Sequence, residues 1–299
     1  MRKRFSKDEI QEICQMYSGG IGENRVAKHF HVRADIIRRI LKEQNISIRS
    51  FAGHGENRRI FFDQHYFDNV DDEHRYYWLK FWCADGTVRR SFLTARLKLA
   101  VQDKVHLVQF SSTIGYPIDN LKYGREGNSD FVLVALNSKI FVKGLIDHGC
   151  VINKRYRLGF FYDVDPILYH HGVRGYFDGD GCISIDKIKV KGEVVFVGCE
   201  QMLLAIREII KIQCGIFTEK LHKSTHSKCY SLSYGGINQI RAIYNYMYSD
   251  ATVYLERKKN KFEELFENRR LAKMKYRKSL YSNMVCDYSL PIVDKQEVL

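Results

Sequence analysis

No two cysteines in this chain stand at Cys-x-x-Cys spacing, although eight are present. A zinc knuckle is therefore not expected. Cys14, Cys83, Cys150, Cys182, Cys199, Cys214, Cys229 and Cys286 read as reduced, mostly buried thiols of an intracellular protein. No apolar run approaches the roughly 18 residues of a membrane-spanning helix, and the N-terminus has no signal-peptide core. The expected location is cytoplasmic, without membrane attachment. No Gly-x-x-x-x-Gly-Lys-Ser/Thr loop occurs, which removes the P-loop route to nucleotide hydrolysis. Asp178-Gly179-Asp180-Gly181 superficially suggests a calcium loop, but Cys182 and Ile183 follow where that pattern needs an oxygen ligand and a glycine. His170-His171 reads as helix surface, and His222 and His226 flank a hairpin turn.

What the chain does have is positive charge. Lys and Arg number 48 against 35 Asp and Glu in 299 residues, a formal net charge of +13. Such a balance favours a polyanionic partner. Hydrophobic residues make up 45% of the chain, ample for a core.

Residues 172–181, Gly-Val-Arg-Gly-Tyr-Phe-Asp-Gly-Asp-Gly, are the most informative run. Gly172, Gly175 and Gly179 fall at i, i+3 and i+7, one face of a helix. Glycine costs about 1 kcal/mol per residue in a helix relative to Ala, so three on one face imply that another backbone packs very close. Asp165 is placed to cap this helix, Pro166 suits its first position, and Asp180-Gly181 ends it. A carboxylate at a helix C-terminus meets partial negative charge. A bound cation, with Asp180 and free carbonyls as oxygen ligands, resolves that conflict. A weaker copy, Tyr77 to Val88, also closes on Asp-Gly at Asp85-Gly86. Packed side by side, the two helices would bring Asp85 and Asp180 together. Two carboxylates that close repel unless metal lies between them, an arrangement suited to metal-assisted phosphodiester hydrolysis.

These motifs resemble those of LAGLIDADG homing endonucleases of the single-chain, two-motif kind. Val173–Gly181 is the stronger copy and Trp78–Gly86 the weaker. Asp250–Phe262 and Gly149–Lys154 are similar to the segments that end the second and first repeats of such enzymes. The resemblance covers roughly residues 66–266. It implies an α+β fold of two pseudo-two-fold αββαββα repeats forming a DNA-binding saddle. It also implies a sequence-specific, metal-dependent double-strand DNA endonuclease that cuts across the minor groove and leaves short 3′ overhangs. The implied metal is Mg²⁺, or Mn²⁺, held by Asp85 and Asp180 with the carbonyls of Ala84 and Gly179. Lys154, Arg257 and Lys258 would stabilise charge on the phosphate, and Gln102 would order a water or a metal ligand. The implied partner is a double-stranded DNA target met by a monomer. The sequence departs from the family at Lys80, which aligns with Gly175 where a small residue is usual. Its stem must snorkel out or force the helices apart. A non-cutting DNA- or RNA-binding homologue, an intron maturase or a transcriptional regulator, is the competing class. No His-Asn followed by a nucleophile ends the chain, so a self-splicing intein is not expected.

Around this core the chain divides into residues 1–48, a helical unit; 49–65, a linker; 66–160 and 161–266, the two repeats; and 267–299, a basic helical tail. In the first unit, helices at Lys7–Tyr17, Asn24–Phe30 and Ala34–Gln44 resemble a helix-turn-helix. Arg33, Arg38, Arg39 and Lys42 would face DNA there. In the first repeat the motif helix is expected at Glu73–Ala84. Strands are expected at Thr87–Phe92, Thr94–Val101, Ile118–Tyr123 and Asp130–Asn137. Asp103 is expected to cap the next helix, and a helix over Ser138–Asp147 closes the copy. In the second, Pro166–Asp180 is followed by strands at Cys182–Ile188, Glu193–Gly198, Ile216–His222 and Cys229–Tyr234, with helices from Glu200 and over Ile237–Tyr248. Groove-reading candidates are Arg89, Arg90, Arg96, Lys98, Lys122, Arg125, Lys187, Lys189, Lys191, Lys220 and Lys223.

Overall fold

The computed structural model describes residues 5–48, 60–89, 93–150, 164–217, 221–225 and 229–286, with side chains to residue 277. Contacts divide the chain into two compact units between Phe61 and Phe62. Lys154, Arg90, Lys220 and His226 lie outside the described residues.

The smaller unit holds α1 (Lys7–Ser18), α2 (Glu23–His29) and α3 (Ala34–Glu43). A capping box starts α1: the Ser6 hydroxyl accepts from the Glu9 amide, and the Glu9 carboxylate accepts from the Ser6 amide. His31, at φ 52°, makes the turn between α2 and α3. Ile13, Tyr17, Val26, Phe30, Ile37 and Leu41 form the core. Ile36 packs against this core from the rim.

The larger unit repeats one element order. The first set is α4 (Glu73–Asp85), β1 (Gly86–Val88), β2 (Thr94–Ala100), α5 (Lys104–Thr113), β3 (Lys122–Glu126), β4 (Ser129–Asn137) and α6 (Lys139–Asp147). The second is α7 (Tyr169–Asp180), β5 (Gly181–Asp186), β6 (Lys191–Gly198), α8 (Glu200–Cys214), β7 (His222–Lys223), β8 (Tyr230–Gly235) and α9 (Ile237–Tyr248). Each set forms a four-stranded antiparallel sheet, ordered β1-β2-β4-β3 and β5-β6-β8-β7. This is an α+β fold. Alternation along the strands decides the faces. Ala95, Leu97 and Leu99 of β2 are buried with Val132, Val134 and Leu136 of β4, as are Val194 and Phe196 of β6 with Leu232 and Tyr234 of β8. Burying one face of each sheet under helices leaves the other face open. No helix among the described residues is long and apolar enough to cross a membrane.

Several expected boundaries move for identifiable reasons. Ile118–Asn120 is a 3-10 turn after Pro117, so β3 starts at Lys122 and reaches Glu126. β5 stops at Asp186, whose carboxylate accepts from the amides of Ile188 and Lys189 and turns the chain. Lys187 and Lys189 therefore sit in a turn rather than on a strand. Pro166–Leu168 is a 3-10 turn ahead of α7, with Asp165 capping it through the Ile167 amide. The final helix, α10 (Glu256–Cys286), runs unbroken through the 266/267 boundary. Its first part belongs to the core, with Phe262 and Leu265 buried.

Candidate active site

α4 and α7 lie side by side, and the glycine face of α7 explains how closely. A Cβ on Gly175 would stand 2.2 Å from the carbonyl oxygen of Tyr77. One on Gly179 would stand 2.2 Å from the Cβ of Ala84, and one on Gly172 would strike the Tyr76 ring. The contact is asymmetric, because α4 answers the glycines with Tyr76, Tyr77 and Ala84. The two expectations for Lys80 are both corrected. Its side chain is fully buried rather than snorkelled to solvent. The helices still approach closely beside it, so it does not wedge them apart. Its ammonium stands 5.3 Å from the centre of the Tyr76 ring.

Asp85 and Asp180 are the last residues of α4 and α7. Gly86 and Gly181 pass directly into β1 and β5 in extended conformation. Glycine is needed there for space: a Cβ would lie 2.3 Å from the Trp82 ring in one copy and 2.2 Å from the Phe177 ring in the other. The Gly179–Ala84 contact sits one residue before each carboxylate, so the two acids end neighbouring helices. Asp180 is exposed and Asp85 half-buried.

Lys258 comes to this point from α10 and is buried. Its ammonium donates to the carbonyls of Phe177 (2.7 Å), Gly179 (3.1 Å) and Gly181 (2.6 Å). It thus caps the C-terminus of α7 and offsets the helix dipole there. Burial pushes its pKa down to about 8, and Arg257 adds to that, while Asp178, Asp85 and Asp180 act to raise it. Both candidate acids therefore act on one buried ammonium. Arg257 makes a two-pronged pair with Asp103, at 2.7 and 2.9 Å. That corrects the expected role of Asp103. It stands at the start of α5 without capping it, because its carboxylate is held by Arg257. Gln102 is exposed and shares with Arg257 a cleft of about 510 Å³ that His106, Gln109 and Tyr254 also line. Neither Asp85 nor Asp180 lines it.

Sequence reasoning missed the buried polar network behind the site. The Asp178 carboxylate accepts from Tyr77 Oη (2.7 Å), Tyr248 Oη (2.9 Å) and the Leu255 amide (2.7 Å). Burial raises its pKa, against the pull of Lys258 and these donors. His106 Nε2 lies 2.8 Å from Tyr77 Oη, and burial holds that imidazole down to about 3, hence neutral. With the Tyr77 proton on Asp178, His106 is the donor to Tyr77. Arg174, fully buried, donates to Val253 O, Met247 O and Glu73 Oε1. Glu73 also accepts from Thr252 and from the Val253 amide. These bonds tie α4, α7 and the strap before α10 together. Arg174 stands inside a glycine-rich helix, but nothing in that run points to its remote partners.

The open faces of the sheets differ in charge. Lys98, Leu133 and Lys122 stand opposite one another across β2, β4 and β3, and Arg96 shares their face, as does Glu126, which is ion-paired to Lys98. Arg125 is opposite Asp130, one residue out of step with that row, and is paired to it at 2.7 Å. It does not join the basic face, which corrects its grouping with Lys98 and Lys122. On the second sheet Asp186 is opposite Lys191 and Ser184 opposite Glu193, so that face is mixed. Lys223 is opposite Tyr230, on the register of the buried Leu232. Lys187 pairs with Glu264 at 3.1 Å, and Lys189 lies 3.9 Å from Asp186. Arg89 is exposed just past β1. In the smaller unit Arg33 is paired to Asp35, Arg38 to Glu23 and Arg39 to Glu43, and Lys42 is exposed.

No family model and no curated protein matches the chain. Among solved structures it is similar to the I-LtrWI LAGLIDADG homing endonuclease bound to target DNA, at 11% identity and TM-score 0.46, covering 71% of this chain and 92% of that one. It is similar to the I-SmaMI LAGLIDADG homing endonuclease bound to cleaved DNA, at 13% identity and TM-score 0.42, covering 71% and 92%. It is also similar to full-length DUF199/WhiA from Thermatoga maritima, at 16% identity and TM-score 0.44, covering 75% and 74%. These are likenesses of architecture.

Proposed function

We propose that this chain is a sequence-specific, divalent-metal-dependent double-strand DNA endonuclease of the LAGLIDADG kind. The observation that carries the reading is the pair Asp85 and Asp180, ending two glycine-packed helices and acting on the single ammonium of Lys258. The donors fit a hard cation. Two carboxylates and helix-end carbonyls make an all-oxygen set, and the end of α7 already binds one cation, the Lys258 ammonium. Asp85 and Asp180, with the carbonyl of Ala84, would hold Mg²⁺ or Mn²⁺; the carbonyl of Gly179, which already accepts from Lys258, would have to be shared with that ammonium. Bound there, the metal supplies phosphoryl polarisation, an activated water and stabilisation of the leaving 3′ oxygen.

The chain's own residues do the rest. Gly175 and Gly179 set the separation of the acids. Lys258 fixes the end of α7 and partly neutralises both carboxylates. Gln102 stands in the neighbouring cleft, able to order water beside the phosphate. The sheets would form the two halves of a saddle in the major groove, with Arg96, Lys98 and Lys122 supplying charge on one side. On the other, Ser184, Glu193 and Ser233 present acceptors and hydroxyls that suit base reading. The three-helix unit would extend the footprint as a helix-turn-helix, through Lys42 and the arginines of α3.

A second reading, binding without cutting, is favoured by one observation. Lys258 has all three donors on carbonyls, and Arg257 is held by Asp103, so neither cation is free for phosphate. Selection from a randomised duplex library gives the bound sequence. Cleavage of it is then assayed in Mg²⁺, Mn²⁺ and Ca²⁺, with gel shifts in parallel. The natural chain should cut in Mg²⁺ but not in Ca²⁺, and Asp180→Asn should bind within a few fold without cutting. Tight binding with no cutting in either Mg²⁺ or Mn²⁺ would establish the second reading instead.

A further inference from the structure

At the opposite end of α7 from the two acids, three potential ligands converge. His170 and His171 lie in the first turn of α7, and Asp250 follows α9. One ligand atom from each lies within 4.8 Å of the other two. His170 Nε2 is 2.9 Å from Asp250 Oδ2, and the two imidazole rings stand 3.7 Å apart, centre to centre. The His171 side chain is 8% exposed, and its Nδ1 has no hydrogen-bond partner among the described residues. A buried imidazole nitrogen left unsatisfied costs desolvation free energy with nothing in return.

We propose that His170, His171 and Asp250 form a binding site for a borderline transition-metal ion, Zn²⁺ above all, that pins the N-terminal end of α7 to the chain after α9. Two imidazoles and one carboxylate are a nitrogen-rich set that favours Zn²⁺ over Mg²⁺. The ligand atoms, all within 4.8 Å of one another, must close by up to about 1.5 Å to reach zinc spacing. Ligand atoms about 2.0–2.1 Å from a tetrahedral zinc are roughly 3.3 Å apart, against 2.9 Å for His170 and Asp250 now. The ligands are also braced from behind. Glu73, 4.0 Å from His171 Nδ1, is already occupied by Arg174, Thr252 and Val253. It holds the strap just after Asp250 in place without competing as a ligand. Asp250, 57% exposed on its side chain, leaves the site open to solvent for entry and for a water as fourth ligand. The site is independent of the endonuclease reading, since it uses neither Asp85 nor Asp180.

The test uses the full chain, stripped with chelator, loaded with Zn²⁺ in excess Mg²⁺ and desalted, with bound metal counted by atomic emission. Co²⁺ loading reports nitrogen ligation through its visible absorption. The expected result is one Zn²⁺ per chain, retained by Asp180→Asn. Asp250→Ala and His171→Gln should each weaken it by more than the roughly 10- to 100-fold typical of losing an outer-shell partner. Asp250 is a surface residue, so its variant tests the site without loss of a buried group, and circular dichroism checks both variants. No retained zinc overturns the proposal, as does retention unchanged in Asp250→Ala. Zinc lost in Asp180→Asn but kept in Asp250→Ala would place the ion elsewhere and overturn it equally.

Discussion

Substituting Gly175 by alanine puts a backbone-to-backbone contact between α4 and α7 under load. The new Cβ would meet the Tyr77 carbonyl oxygen at 2.2 Å, its carbon at 2.9 Å and the Tyr77 Cα at 3.1 Å. All three are backbone atoms of a helix, so no side chain can swing away. Reaching a close C···O contact of about 3.3 Å requires α4 and α7 to part locally by about 1 Å. Overpacking of this kind costs about 1–3 kcal/mol, and the better helix propensity of alanine returns up to about 1 kcal/mol. Because the obstacle is rigid, the net loss should fall near 1–2 kcal/mol. The chain offers its own reporter, since its two tryptophans, Trp78 and Trp82, are both buried on α4. Urea unfolding followed by tryptophan fluorescence therefore reads this helix directly. Gly235→Ala is the control, because a Cβ there meets nothing within 4 Å. If the chain cuts DNA, misplacing ligands by about 1 Å should also slow cutting on the order of a hundredfold. A Gly175→Ala chain with the same urea midpoint as Gly235→Ala would refute the close-packing argument.

Arg174→Met should destabilise the larger unit by about 3–5 kcal/mol, as expected when one partner of a buried ion pair is removed; a loss under about 1 kcal/mol in urea would mean that Glu73 does not need it. Burial holds His106 at about 3 against its ordinary 6.5, so between those values the unfolded chain takes up a proton that the folded chain refuses. Stability should therefore fall as pH falls from 6.5, by at most about 1.4 kcal/mol per unit, and His106→Asn should flatten the slope of urea midpoint against pH. Deleting residues 1–50 should weaken DNA binding and shallow its salt dependence, by about 0.9 in log–log slope for each phosphate that the smaller unit neutralises. An unchanged slope would show that Arg33, Arg38, Arg39 and Lys42 touch no phosphate.

The sequence by itself determined the parts of this protein that depend on near neighbours. The glycine face at Gly172, Gly175 and Gly179 and the Asp-Gly endings at Asp85 and Asp180 were legible. So were the repeated element order and the three amphipathic helices of the smaller unit, for spacing and capping act over a few residues. Tertiary structure decided everything that depends on distant partners. Asp103 has the position of a helix cap but clasps Arg257, 154 residues away. Lys258 reads as a cation for the phosphate, yet it is buried with three carbonyls of α7. Lys80 reads as an intruder and is accommodated whole. Arg125 reads like Lys122 and lands on the other face, because β3 begins only after the Ile118–Asn120 turn, and side chains alternate along a strand. Asp178, Arg174 and Glu73 carried no local signal of their roles. A buried charge becomes tolerable only when donors from remote segments close around it, and which segments those are is settled when the two halves of the chain pack together.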